Sequence, residues 1–133
     1  MTDVDALVCH AVEHGILDDQ FVQLQSLQDE SNPDFVVDLI HLYHADASKK
    51  IQQIEEFLNQ AESSQQQLDA CVHQFKGSSA SFGAAEMTKI CIEFREACHR
   101  GDMQTCKIIV ARMREAYSRL QTVLNEFERL EKL

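Results

Sequence analysis

Within Cys71-Val-His-Gln-Phe-Lys-Gly-Ser-Ser-Ala80, an imidazole, an ammonium and a glycine stand close together at His73, Lys76 and Gly77. Neutral imidazole is a nucleophile near pH 7, and on a helix a residue three positions along lies one turn away on the same side. A phosphoryl group on His73 would therefore meet the Lys76 ammonium at hydrogen-bonding distance, a charge-assisted contact. The stretch reads as helix, with Leu68, Val72, Phe75, Ser79 and Phe82 on one side at 100° steps as a core face. His73 then points roughly 150° from the centre of that face, toward solvent. Its outer-surface neighbours are Asp69, Ala70, Lys76, Gly77 and Ala80, most of them small. Low walls leave the imidazole reachable by another protein. Gln74, next in sequence, and Ala80 join Gly77 as candidates for the contact surface.

Glycine inside a helix costs about 1 kcal/mol relative to alanine, so Gly77 needs an offsetting role. Two are open: close packing against a neighbouring helix, or clearance for a partner that must approach His73. Its place about 40° from His73, away from the core stripe, favours clearance.

The elements that position these residues are helices. Four Gly, one Pro and no Trp in 133 residues supply too few turn-makers for a β sandwich, so the fold class is all-α. Six helices are expected. The first runs from about Asp3 to His14 and stops at Gly15, and the second from about Asp18 to Gln28 with Phe21, Leu24 and Leu27 three apart. The third opens on Ser31-Asn32-Pro33 as cap and first helical proline, and carries Val36, Leu39, Ile40, Tyr43, Ala47, Ile51, Ile54 and Leu58 at helical spacing. After the polar run 62–67, the fourth spans roughly Gln66 to Ser81. The fifth, Ala84 to His99, lines up Met87, Ile90, Cys91, Phe94 and Cys98. Gly101-Asp102 ends it and caps a sixth that reaches near Glu131 through Cys106, Ile109, Val110, Met113, Tyr117, Leu120, Leu124 and Phe127. Short connections and one apolar stripe per helix predict that the last four form an antiparallel four-helix bundle. The expected organisation is a single domain over 1–133, with N-terminal helices in 1–30 and the bundle in 31–131.

Twelve Lys and Arg against 22 Asp and Glu leave a net charge of −10, which repels nucleic acid and anionic lipid. The N-terminus shows neither a signal peptide nor a long apolar run, and an intracellular protein is expected. Five cysteines without a C-x-x-C spacing read as small buried hydrophobes rather than a disulfide framework or zinc ribbon. His10 with His14, and His41 with His44, share helix faces, but neither pair has a third ligand at recognisable spacing, and no metal site is expected.

His73-Gln-Phe-Lys76-Gly77-Ser78-Ser79 resembles the motif of histidine-containing phosphotransfer (HPt) proteins. Gly15-Ile-Leu-Asp-Asp-Gln-Phe21, Leu27-Gln-Asp-Glu-Ser-Asn-Pro-Asp-Phe35 and Phe94-Arg-Glu-Ala-Cys98 are similar to the plant type, so the resemblance runs from about Gly15 to Phe127. It implies a carrier in a multistep, cytokinin-like phosphorelay. Such a carrier accepts a phosphoryl group from a receiver-domain aspartate of a hybrid histidine kinase and passes it to an aspartate of a response regulator. On that footing His73 is the acceptor, Lys76 the phosphate neutraliser and Gly77 the clearance. Arg95 corresponds to a position near the phosphohistidine in related proteins, or is an ordinary surface arginine. Docking needs an apolar patch beside His73, and Phe21 and Leu24 of the second helix either supply it or staple that helix to the bundle. The chain has no Walker loop, kinase glycine-rich loop or metal-carboxylate motif. It is therefore expected to be a mediator without kinase or ATPase activity and without a cofactor of its own, Mg²⁺ being held by the partner receiver. A monomer in cytoplasm and nucleus is the remaining implication.

Two other classes compete. A non-catalytic helical interaction module explains the bundle and the acidity, but leaves an outward His beside Lys and an interior Gly as coincidence. An enzyme of the kinase or phosphatase type lacks every nucleotide or metal motif.

Overall fold

The computed structural model describes residues 2–60 and 65–133 and places six α-helices in them. The first, α1 (Asp3–Glu13), begins with a capping box in which Thr2 accepts from the Asp5 amide and Asp5 accepts from that of Thr2. It ends at Gly15, whose φ of 71° lets the Gly15 and Ile16 amides bond back to Val12 and Ala11. Then follow α2 (Asp19–Ser26) and α3 (Phe35–Asn59).

The start of α3 departs from expectation. Pro33 lies in a turn before the helix, where the Phe35 amide donates to the Asn32 carbonyl. Ser31 and Asn32 do not cap, because their side chains bind the preceding loop: Ser31 donates to Asp29, and Asn32 bridges the Asp29 amide and the Leu27 carbonyl. A free amide of the helix start is satisfied by Gln28, whose side-chain oxygen accepts from Val36 at 3.0 Å. With 27–34 used as a loop, α2 is shorter than its apolar spacing suggests and Leu27 is exposed.

Three helices complete the chain: α4 (Gln65–Phe82), α5 (Ala85–His99) and α6 (Met103–Glu131). Residues 62–64 of the polar run lie outside the described residues. The fourth helix packs on α3 and α5, and α6 closes the ring against α3 and α5, giving the expected bundle from Phe35 onward; α1 lies on α6 and α2 on α4. The predicted stripes are its interior, and one continuous core draws residues from all six helices. Cys71, Cys91, Cys98 and Cys106 are buried in it, and burial pushes the Cys91 thiol up to about 12 and that of Cys106 to about 11. Cys9 is the exception to the expected burial; it is exposed, with its thiol toward Glu13.

One turn fixes where α2 sits. Gly83 ends α4 at φ 91°, and its carbonyl accepts from the Asp18 amide at 3.0 Å. A Cβ there would lie 2.4 Å from the Phe21 backbone nitrogen, so only glycine permits the approach. Phe21 is fully buried against Phe82 and Phe127, edge to face. Among the described residues, no helix is long and apolar enough to cross a membrane.

Candidate functional site

The helical phase of α4 does what its sequence requires. Leu68, Val72, Phe75, Ser79 and Phe82 are buried, and His73, Gln74, Gly77 and Ala80 are exposed on the other side, with Lys76 half-buried. A Cβ added at Gly77 would meet nothing within 4 Å. Helix packing therefore makes no demand for this glycine, and the space beside His73 is open.

The ridge that carries His73 has two unlike flanks. Toward α5, Arg95 reaches across with Nη1 2.9 Å from His73 Nδ1, so it is not an idle surface arginine. A guanidinium can only donate; Nδ1 is thus the acceptor and the ring proton of the neutral imidazole lies on Nε2. The rest of the fork is held by Asp69, with Nε 3.0 Å from Oδ1 and Nη2 3.4 Å from Oδ2. Asp69 Oδ1 also accepts from His99 Nε2 at 2.9 Å. Hydrogen bonds from Arg95, outweighing partial desolvation, hold the Asp69 carboxyl below its usual range, and the same pairing raises Arg95. Beside this network a hollow of about 190 Å³ is lined by Lys76, Ile92, Arg95, Glu96 and His99. Lys76 and Arg95 thus border this hollow together with the Glu96 carboxylate.

Toward α2 and α3 lies an open groove of about 410 Å³ with an apolar wall of Leu24, Leu39, Leu42, Tyr43 and Phe82, the Asp46–Lys50 ion pair of α3, and Gln74, Ser78 and Ser81 along the α4 edge. Leu42 is 67% exposed, far more than a side chain with a packing role. The two serines of the motif belong to the scaffold: Ser79 is buried and shares a 2.8 Å hydrogen bond with the Tyr43 hydroxyl, and Ser78 donates to Asp46 at 3.1 Å.

Of the expected site residues, His73, Lys76, Gly77, Arg95, Gln74 and Ala80 are thus on or beside one ridge, and half-buried Leu24 borders its groove. Phe21 is not available as a contact residue; the Gly83 turn draws it wholly into the core, where it staples α2 to the bundle. Sequence reasoning placed Asp69 near His73 but missed its function as the anchor of Arg95, and it missed His99. Their spacing held a clue: Asp69 is four residues before His73 and His99 four after Arg95, so each shares a helix face with its neighbour. The remaining histidines are engaged elsewhere, His14 with the His10 carbonyl, His41 with Glu128 and His44 with Gln121. Among the described residues no three His, Cys, Asp or Glu side chains group as a metal site.

A helical bundle that presents an exposed histidine beside Lys and Arg defines a phosphotransfer class of protein. Comparison with known proteins agrees. The Hpt domain profile matches residues 38–123, more than half of the chain. The chain is 36% identical over 113 residues to histidine-containing phosphotransfer protein 4 of Arabidopsis thaliana, covering 85% of this chain and 89% of that one. It is 39% identical over 119 residues to protein 1 of the same plant, covering 90% and 75%. The structure superposes on a histidine-containing phosphotransfer protein from maize with a TM-score of 0.91 at 34% identity, over 97% of this chain and 94% of that one. The chain belongs to the histidine-containing phosphotransfer family, of the plant type, and is a phosphorelay carrier. Proteins of this family exchange phosphoryl groups with receiver domains and response regulators. Pseudo histidine-containing phosphotransfer protein 6 of Arabidopsis thaliana also matches, at 32% identity, so the identity of the acceptor must rest on the residue at the site.

Proposed function

We propose that His73 is the phosphoryl acceptor, taking the group from an aspartyl phosphate of a hybrid kinase's receiver domain and delivering it to a response-regulator aspartate. The observation that supports this best is the exposed imidazole of His73, held by Arg95 beside an open glycine step, with Lys76 one turn along the same helix. In the forward step Nδ1 takes the ring proton in place of Arg95, the Nε2 lone pair so freed attacks phosphorus, the aspartyl O–P bond breaks with its electron pair leaving on the carboxylate, and the ring then gives up its Nδ1 proton. Lys76 faces the charge on the phosphoryl oxygens, Arg95 holds the ring at Nδ1, and Gly77 with Ala80 leaves room for the rim of the receiver's active site. The groove of Leu24, Leu39, Leu42, Tyr43 and Phe82 receives the receiver's apolar surface, with Gln74 at the boundary between docking and chemistry. Mg²⁺ is supplied by the receiver's own carboxylates. The carrier acts as a monomer without kinase or ATPase activity, in the cytoplasm and nucleus, in a cytokinin-like relay.

The test is transfer without nucleotide. A phosphorylated receiver, freed of ATP, should lose its label to this protein, and the label should be acid-labile and base-stable. His73→Gln should abolish labelling and keep its helical circular-dichroism spectrum, because the side chain faces solvent. Undiminished labelling of His73→Gln, or ATP turnover by the pure protein, would overturn the assignment.

A further inference from the structure

The two nitrogens of the His73 ring are not equivalent. Because Arg95 can only donate, its Nη1 at 2.9 Å requires a lone pair on Nδ1. Nδ1 keeps that lone pair when Nε2 carries a proton, and equally when Nε2 carries a phosphoryl group. It has none once Nδ1 is itself protonated. Breaking the N–P bond favours that last state. From a ring with bare Nδ1 the bonding pair leaves on an imidazolate, a poor leaving group; with Nδ1 protonated, Nε2 takes the pair and neutral imidazole departs. A guanidinium on Nδ1 therefore competes with the proton that departure needs.

We propose that Arg95, aimed by Asp69, is a positioning residue that prolongs the life of the phosphoryl group on His73 by occupying Nδ1, and that release requires Nδ1 to exchange Arg95 for a proton. This rests on His73 being the acceptor. In hydrolysis the water oxygen attacks phosphorus, the Nε2–P bond breaks with its pair staying on Nε2, the proton remains on Nδ1, and the phosphate keeps the water's hydroxyl while the second water proton passes to a phosphate oxygen or to solvent. In transfer a receiver carboxylate oxygen replaces the water.

The aim of Arg95 is built in. Asp69 engages Nε and Nη2 and so leaves Nη1 for the imidazole, and it lies on the same helix as His73, one turn before it. His99 pins the carboxylate by a second bond to Oδ1. The charged and titratable groups around the ring are Asp69 and Lys76 on α4 and Arg95, Glu96 and His99 on α5. On the opposite flank Asp46 and Lys50 of α3 pair with each other at 3.4 Å, and Asp18 of α2 caps its own helix at the Gly83 turn.

The whole protein is labelled from a phosphorylated receiver domain, the receiver is removed, and loss of the acid-labile label is followed from pH 5 to 9. A unit charge about 4 Å from the ring nitrogen at an exposed site changes the proton occupancy there by about five- to tenfold. Arg95→Ala should then lose the label about five- to tenfold faster near pH 7.5, with its acid limb moved to higher pH. Asp69→Asn should move the same way by less, and Arg95→Lys should restore part of the lifetime. In the unphosphorylated protein, ¹⁵N spectra of the His73 ring should show the Nε2–H tautomer dominant, and a mixture in Arg95→Ala. Equal decay of wild type and Arg95→Ala across that range, with His73→Gln blank, would overturn the proposal and leave the acceptor standing. Label on His73→Gln would remove the acceptor and this proposal together.

Discussion

The two flanks of α4 are built from different chemistry and are used differently. On the α3 side the polar pair at the core is buried and mutually satisfied: the Tyr43 hydroxyl bonds Ser79, its ring stacks on Phe82 at 4.5 Å, and burial pushes the phenol well above its ordinary pKa. On the α5 side the polar groups are only part-buried, and a chain of contacts runs His99–Asp69–Arg95–His73. Buried hydrogen bonds fix a helix in place because breaking one strands a desolvated group. Contacts open to water can be exchanged at little cost, which is what a group that must be loaded and unloaded requires. The motif's own residues divide accordingly: Ser78 and Ser79 serve the scaffold, while His73, Lys76 and Gly77 face the partner.

The largest way to break this division is at the ridge between the flanks. Gly77→Gln should fold, because no neighbour lies within 4 Å of the new Cβ, yet its side chain would stand one turn from His73 in the receiver's path. Transfer from a phosphorylated receiver should fall by orders of magnitude, and labelling by phosphoramidate, a donor small enough to pass, should not. Gly77→Ala should raise stability by about 0.5 to 1 kcal/mol, read by urea denaturation. A lower melting temperature for Gly77→Ala would show that the glycine serves packing after all.

A smaller effect separates the flanks by readout. Tyr43→Phe keeps the stack on Phe82 and removes the partner of Ser79, and should destabilise the protein by about 1 to 3 kcal/mol in the same denaturation experiment. The half-life of the phosphohistidine should stay at the wild-type value. A shortened half-life in Tyr43→Phe would mean that the two flanks are coupled.

The smallest effect is a titration. The Asp69 carboxyl is depressed in the folded protein, so its contribution to stability is present above the unfolded pKa of about 3.9 and is lost as pH falls through the lower folded value. Carboxyl ¹³C shifts should show Asp69 titrating below the ordinary aspartate value, and Arg95→Ala should bring the midpoint back up. An unmoved midpoint would detach Asp69 from Arg95.

Much of this was legible in the order of residues, for a definite reason. Which way His73 faces depends only on its phase relative to Leu68, Val72 and Phe75, and a helix holds that phase by its own backbone hydrogen bonds. The same holds for the stripes of α3, α5 and α6, and hence for the bundle. Gly15 and Gly101 are likewise local, since a helix end in the left-handed region is decided within a few residues. The start of α3 escaped because two equivalent-looking sets of polar side chains competed for its free amides, and the loop took Ser31 and Asn32 while Gln28 reached back.

What the tertiary structure alone decided lies between helices. The 22 residues from His73 to Arg95 cross the turn at Gly83, and whether the guanidinium lands on the imidazole depends on the relative height and rotation of α4 and α5, which neither helix encodes by itself. The same is true of Phe21. Its spacing with Leu24 suits a docking face as well as a core, and only the close approach of its backbone to Gly83 commits it to the interior and leaves Leu24 and Leu42 at the groove. Periodicity determines what faces outward; packing, which sets distances between elements far apart in the chain, determines which outward groups meet.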